Sequence, residues 1–250
     1  MIRDLDAMIG RLHGLEVEDW ERPTPNEGWL VRDLAAHLVE TTASANEAIE
    51  KIVQGGQAQA VPVFESEDVA ASSSHAEIVS ALTLQRNVLF HTLSRLGPDD
   101  LSAQLDQPAS SDTLMDGQAL VSRIVMEFGP HRFDLEWALG EHNAGLSTET
   151  VLAIDAFFGS LLGSIGDEEG ASVTPAGFNR AGALIDRSVS WDGDRWADGI
   201  PPSVPVVRIT GDDSALALFL CGRISIDDPR LEVEGDRGLG ARFKTFVPGP

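Results

Sequence analysis

The hydrophobic period of this chain changes once, and that change limits the folds open to it. Over the first two thirds, apolar residues recur every three to four positions. Ile2, Leu5, Ile9 and Leu12 make one stripe, and Leu34, Leu38, Ile49 and Ile52 make another. Ile78, Leu82, Leu89, Leu93 and Leu96 make a third, ahead of the breaker pair Gly97-Pro98. Such spacing lines one face of an amphipathic helix. A fourth helix is expected over about 115–140, stopping at Gly140. A fifth, over about 147–165 (VLAIDAFFGSLLGSIG), is apolar nearly all round and is expected to be buried. Beyond a polar, Gly-rich stretch at 166–183, LIDRSVSW, VPVVRIT and LEVEG alternate as strands do, and DSALALFLCG reads as a short helix. These signals predict an α+β chain: a helical bundle over 1–168, followed by a small α+β domain over 175–250. Residues 54–74 have little period and read as a surface loop.

Composition narrows the function classes. The chain carries 18 basic and 40 acidic residues, a formal net charge of −22. That field repels phosphate backbones and anionic lipid heads, so nucleic acid is not an expected partner. No run approaches the roughly 20 apolar residues that span a bilayer. Asp4 and Asp6 interrupt the N-terminal apolar run, which argues against a secretory leader. The single cysteine, Cys221, excludes an intrachain disulfide and a cysteine-based zinc knuckle, and makes the reducing cytoplasm the default compartment. Cys221 follows an apolar helix and is expected to be a buried, inert thiol. There is no phosphate-binding glycine loop and no Gly-x-Ser-x-Gly nucleophile elbow.

The segment VMEFGPHRFDLEWALG is the most informative. Glu127 and His131 are four apart, so on a helix they share a face one turn apart and can reach one metal ion. His37 sits mid-helix in VRDLAAHLVE with apolar neighbours, facing inward, where an imidazole needs a partner. Two histidines and one carboxylate form a common open zinc set with a fourth position for water or substrate. Asp33 and Asp134 are candidates to hold the outer ring nitrogens of His37 and His131. Gly129-Pro130, between the two helical ligands, is expected to kink or bulge that helix and could re-aim His131. His91 is a weaker candidate for the site wall, more simply read as a core or boundary residue. Trp20 and Trp29 flank the first loop and read as packing anchors.

Two separated motifs carry a family resemblance. Pro23, Thr24, Gly28, Trp29, Val31, Asp33, Leu34, His37 and Leu38 form the first. Glu127, His131, Arg132, Phe133, Asp134, Glu136, Ala138, Leu139 and Gly140 form the second. In that order they resemble the mycothiol-dependent maleylpyruvate isomerase family, within the wider DinB-like metal-binding bundles. The resemblance implies a divalent metal, expected to be Zn2+, on His37, Glu127 and His131, and mycothiol as cosubstrate. It also implies an arginine of the C-terminal domain that helps bind an acidic substrate. Arg223 is the best-matched residue, and Arg208 is the alternative. The implied activity is that of a thiol-using isomerase or S-transferase acting on a small electrophilic or acidic molecule. A hydrolase using metal-bound water and a non-enzymatic metal- or ligand-binding bundle are the alternatives.

Overall fold

A computed structural model describes residues 2–54, 73–102, 104–105, 115–161, 176–191, 196–201 and 204–243. The chain divides into two compact units, Met1–Ser147 and Thr148–Pro250. The architecture is α+β, helices first and then a small sheet unit. The loop read at 54–74 lies almost wholly outside the described residues.

The first unit is built on four helices: α1 (Arg3–Leu12), α2 (Val31–Val53), α3 (His75–Leu93) and, after the short α4 (Pro98–Ser102), α5 (Gly117–Ala138). Strands β1 (Gln104–Leu105) and β2 (Met115–Asp116) pair antiparallel just before α5. Local chemistry sets the helix starts. Asp33 in the first turn of α2 accepts from the Leu30 N–H at 2.8 Å. Ser74 and Glu77 form a full capping box on α3. Asp116 caps α5 by accepting from the Ala119 N–H at 2.8 Å. The predicted stripes face inward: Leu5, Leu34, Leu38, Ile49, Ile78, Leu82 and Leu89 all join one core with Leu120, Ile124 and Phe128 of α5. α2 packs on α3 and α5, and α1 packs on α5 and α3.

α5 stays α-helical from Gly117 to Ala138 with Pro130 inside it. The re-aiming of His131 that the Gly129-Pro130 pair could cause does not occur. The residue before a proline normally loses helical freedom through a clash with its own Cβ, and Gly129 has none.

The second unit begins with α6 (Thr148–Leu161). The sequence reading keeps this helix with the bundle and sets the boundary at 168–175. In the structure it groups with the C-terminal unit, packing on α7 and reaching β4 through an ion pair between Asp155 and Arg187. The sheet has five strands: β3 (Ala176–Ala181), β4 (Asp186–Trp191), β5 (Trp196–Asp198), β6 (Val206–Gly211) and β7 (Leu231–Gly235). Their order is β5-β4-β3-β6-β7, with β3 and β6 parallel and every other pair antiparallel. Helices α7 (Asp213–Leu220) and α8 (Arg237–Ala241) complete the unit. Strands β4, β6, β7 and helix α7 coincide with the predicted ones. The central strand β3 lies where a linker is predicted, and β5 is not predicted. Among the described residues no helix is long and apolar enough to cross a membrane.

Candidate metal centre

The three predicted ligands converge. His37 on α2, and Glu127 and His131 on α5, each offer a ligand atom, and these atoms all lie within 4.8 Å of one another. The helical periodicity accounts for this. α2 and α5 pack side by side, and the i, i+4 spacing turns Glu127 and His131 onto the face that meets α2. His37 and His131 are 8% and 5% exposed, and the Glu127 side chain is 19% exposed, so all three are largely shielded from solvent.

Its surroundings fix the donor atoms. His131 Nδ1 lies 3.0 Å from Oδ2 of the fully buried Asp134. With that proton held by the carboxylate, Nε2 is left as the lone-pair donor, 3.7 Å from Glu127 Oε2. Asp134 is itself steered by Asn26, whose Nδ2 donates to the same Oδ2 at 2.9 Å. Asp33, the other predicted supporting acid, does not serve His37. Its carboxylate caps α2 instead, and the ring contact of His37 is Nε2 to Thr41 Oγ1, at 3.3 Å one turn along. His37 Nδ1 is buried and finds no hydrogen-bond partner among the described residues. An imidazole with an orphaned nitrogen, a second imidazole and a carboxylate, with ligand atoms within 4.8 Å of one another, fit a divalent metal better than a self-sufficient hydrogen-bond cluster.

The titration behaviour follows from this geometry. Burial, helped by the neighbouring His131, pushes the pKa of His37 down to about 4, against the pull of Glu127. His37 is therefore a neutral donor at pH 7. His131 moves the other way. Burial would depress it, but the hydrogen bond to Asp134 and the negative charges of Asp134 and Glu127 outweigh burial and raise it. For Glu127, burial works toward a higher value, yet the close approach of His131, with His37 and Arg123 beyond it, leaves its carboxyl below the usual range.

Sequence reasoning undervalued the first loop. Pro23 and Leu30 form an isolated bridge, the Thr24 N–H donates to the Trp29 carbonyl at 2.8 Å, and the Trp29 N–H returns to the Asn26 carbonyl at 3.0 Å. Gly28 sits at φ 80°, a conformation that other residues take up only with strain. The Thr-x-x-x-Gly-Trp pattern is thus the code for a tight turn, and the turn delivers two side chains to the site. The Trp29 ring lies 4.9 Å from that of His37 and 6.2 Å from that of His131, walling the cluster. Asn26 reaches Asp134. Trp20, by contrast, is the packing anchor expected of it and stacks on His75 at 4.3 Å.

Other candidates fall elsewhere. His91 is exposed in the last turn of α3, so it neither lines the site nor belongs to the core. Cys221 is buried, as expected. Arg223 follows α7 in the second unit, half-buried, with Nη1 donating to the Cys221 carbonyl at 3.1 Å. Arg208 is on β6, exposed and across from Glu234.

Comparison with known proteins decides the family. Residues 3–136, more than half of the chain, match the model of the mycothiol maleylpyruvate isomerase N-terminal domain. The chain belongs to that family. Two solved structures share its fold: a crystal structure of the mycothiol-dependent maleylpyruvate isomerase and one of a histidine-to-alanine mutant of it. The mutant superposes with a TM-score of 0.60 at 11% identity, and the other with 0.54 at 14%. Both alignments cover 94% of this chain and 90% of the other. No curated protein matches the chain in sequence. At such identities the likeness establishes the family fold across both units, while the chemistry must be argued from the residues above.

Proposed function

We propose that this chain is a metal-dependent, thiol-using enzyme of the mycothiol-dependent isomerase or S-transferase type, with a divalent metal, Zn2+ by its donor set, held by His37, Glu127 and His131. The observation that carries the proposal is the meeting of two imidazoles and one carboxylate, from two helices, within 4.8 Å. A metal bound there would supply Lewis acidity and lower the pKa of a thiol that reaches its open position.

The protein's own residues would do the rest. Asp134, aligned by Asn26, keeps the His131 proton on Nδ1 and its lone pair on Nε2. The low pKa of His37 keeps its ring neutral at working pH. Trp29 gives the site an apolar wall that excludes water from one side. Arg223 is the candidate anion holder for an acidic substrate. The thiol would be mycothiol, the small thiol in the family's name, acting in a reducing cytoplasm. The thiolate adds to a conjugated carbon–carbon double bond of an electrophilic acid, and the resulting single bond can rotate. Expulsion of the thiolate then returns the isomerised alkene, whereas protonation of the adduct gives a thioether product. These two outcomes use the same residues.

The test combines metal analysis with a thiol-dependence assay on electrophilic unsaturated acids. One zinc per chain and turnover only with added thiol are expected. Turnover without thiol would assign the bound metal to water activation and hydrolysis instead. His37→Ala retaining full metal content and activity would contradict the proposal.

A further inference from the structure

The C-terminal unit holds a second buried cluster, of opposite electrostatic sense. On β3, Phe178 and Arg180 are two apart, on one face, and both are fully buried. Arg180 stands directly across from Arg187 in the antiparallel register with β4. Like charges in that position repel. The carboxylate between them belongs to Asp155 of α6. Its Oδ1 is 3.6 Å from Arg180 Nη2, and its Oδ2 is 3.3 Å from Arg187 Nη2. Both distances are long for charge-assisted hydrogen bonds. Arg180 is 1% exposed, yet its Nε and Nη1 find no hydrogen-bond partner among the described residues. Burial, with Arg187 adding to it, pulls the Arg180 pKa down to about 10 against Asp155, so the guanidinium is still charged at neutral pH. Among the described residues two positive charges thus face one negative charge, in a chain whose overall charge is −22.

A buried guanidinium with donors unspent is costly where nothing compensates it. We infer that Arg180 and Arg187 form an anion site inside the C-terminal unit that takes a small carboxylate, with Asp155 as the internal group the ligand competes against. The Arg187 and Asp155 side chains are 30% and 20% exposed, so the cluster reaches solvent past them, with Arg180 at its base. A carboxylate supplies the single missing negative charge, and its planar pair of oxygens matches the guanidinium fork. This inference stands apart from the metal centre and does not depend on it.

The test uses the full chain stripped of metal with a chelator. It is titrated calorimetrically with acetate and with inorganic phosphate, against chloride at matched ionic strength. Saturable one-to-one acetate binding is expected. Arg187→Gln should weaken it about tenfold, the scale of one lost charge-assisted hydrogen bond. Asp155→Asn should tighten it, and acetate should restore the thermal midpoint that this variant loses. Acetate binding no better than chloride, or unchanged in both variants, would overturn the site. Phosphate binding more tightly than acetate would overturn the carboxylate assignment. Both variants leave the buried Arg180 itself in place.

Discussion

The two buried polar clusters differ in what each lacks. In the bundle, His37 Nδ1 is the orphan, and its neighbours are an imidazole and a carboxylate, which together invite a cation. In the sheet unit, the orphans are two guanidinium nitrogens beside a second arginine, which invite an anion. The backing differs as well. His131 is held by Asp134, and Asp134 by Asn26, so the first cluster is rigid before any ligand arrives. Asp155 is stretched between two arginines and serves neither well. An unsatisfied buried group therefore indicates the sign of a missing partner, and the hydrogen bonds behind it indicate how preorganised the site is.

The sharpest way to break this comparison is to remove one member from each side. His37→Ala should lower zinc affinity by about a thousandfold or more, the scale of one ligand among those that share the binding free energy. It should leave metal-free stability nearly intact, as equilibrium dialysis and thermal melts would show. Asp155→Asn should do the reverse, costing about 3 kcal/mol in urea unfolding, as losing one partner of a buried pair does, with zinc binding unchanged. If both variants lost both properties, the two clusters would not be independent.

Acid should act on the bundle cluster in a defined direction. His37 is depressed from 6.5 to about 4 in the folded chain. Between these values the unfolded chain binds the extra proton and the folded one does not. Stability is therefore unaffected by His37 titration above pH 6.5 and falls as pH drops toward 4, by roughly 3 kcal/mol at most, because the folded chain denies the ring the proton that the unfolded chain takes up. Urea unfolding of the metal-free protein across that window checks this, and His37→Gln should flatten the dependence.

Smaller effects test the backing. Asp134→Asn should weaken zinc binding about 10- to 100-fold, since the partner that fixes the His131 tautomer is lost. Asn26→Ala should weaken it by less than about tenfold, because it acts one hydrogen bond further out. Competition with a chromogenic chelator would rank the two, and the reverse ranking would break the proposed order of support.

These same features decide how much was legible in the sequence. The four bundle helices and the convergence of His37, Glu127 and His131 were, because helical spacing places Glu127 and His131 on one face and motif order supplies His37. Asp134 was legible as the His131 partner for the same reason of spacing. Asp33 was misjudged, since a first-turn aspartate is drawn to its own helix's free N–H groups before it reaches a ring one turn away. Trp29 and Asn26 were hidden because their roles depend on a turn, and only Gly28 hinted at its shape. Strand β3 was hidden most deeply. In AGFNRA, Arg180 shares the inward face with Phe178 and stands where a second large apolar side chain would be expected, so alternation could not reveal the strand. The residue that concealed the strand is the one that marks the anion site. The early start of the second unit has a related cause. α6 is apolar enough to suit either neighbour, and Asp155, which ties it to the sheet, looks like any other acid in a chain that has 40.

The most direct test of the metal centre is anomalous diffraction at the zinc edge from crystals grown with one equivalent of zinc. One peak about 2.0–2.2 Å from a ring nitrogen of His37, a ring nitrogen of His131 and a carboxylate oxygen of Glu127, with no fourth protein ligand, is the predicted result. A protein that shows no peak there with zinc in excess, or whose ion touches only one of the three side chains, would contradict it.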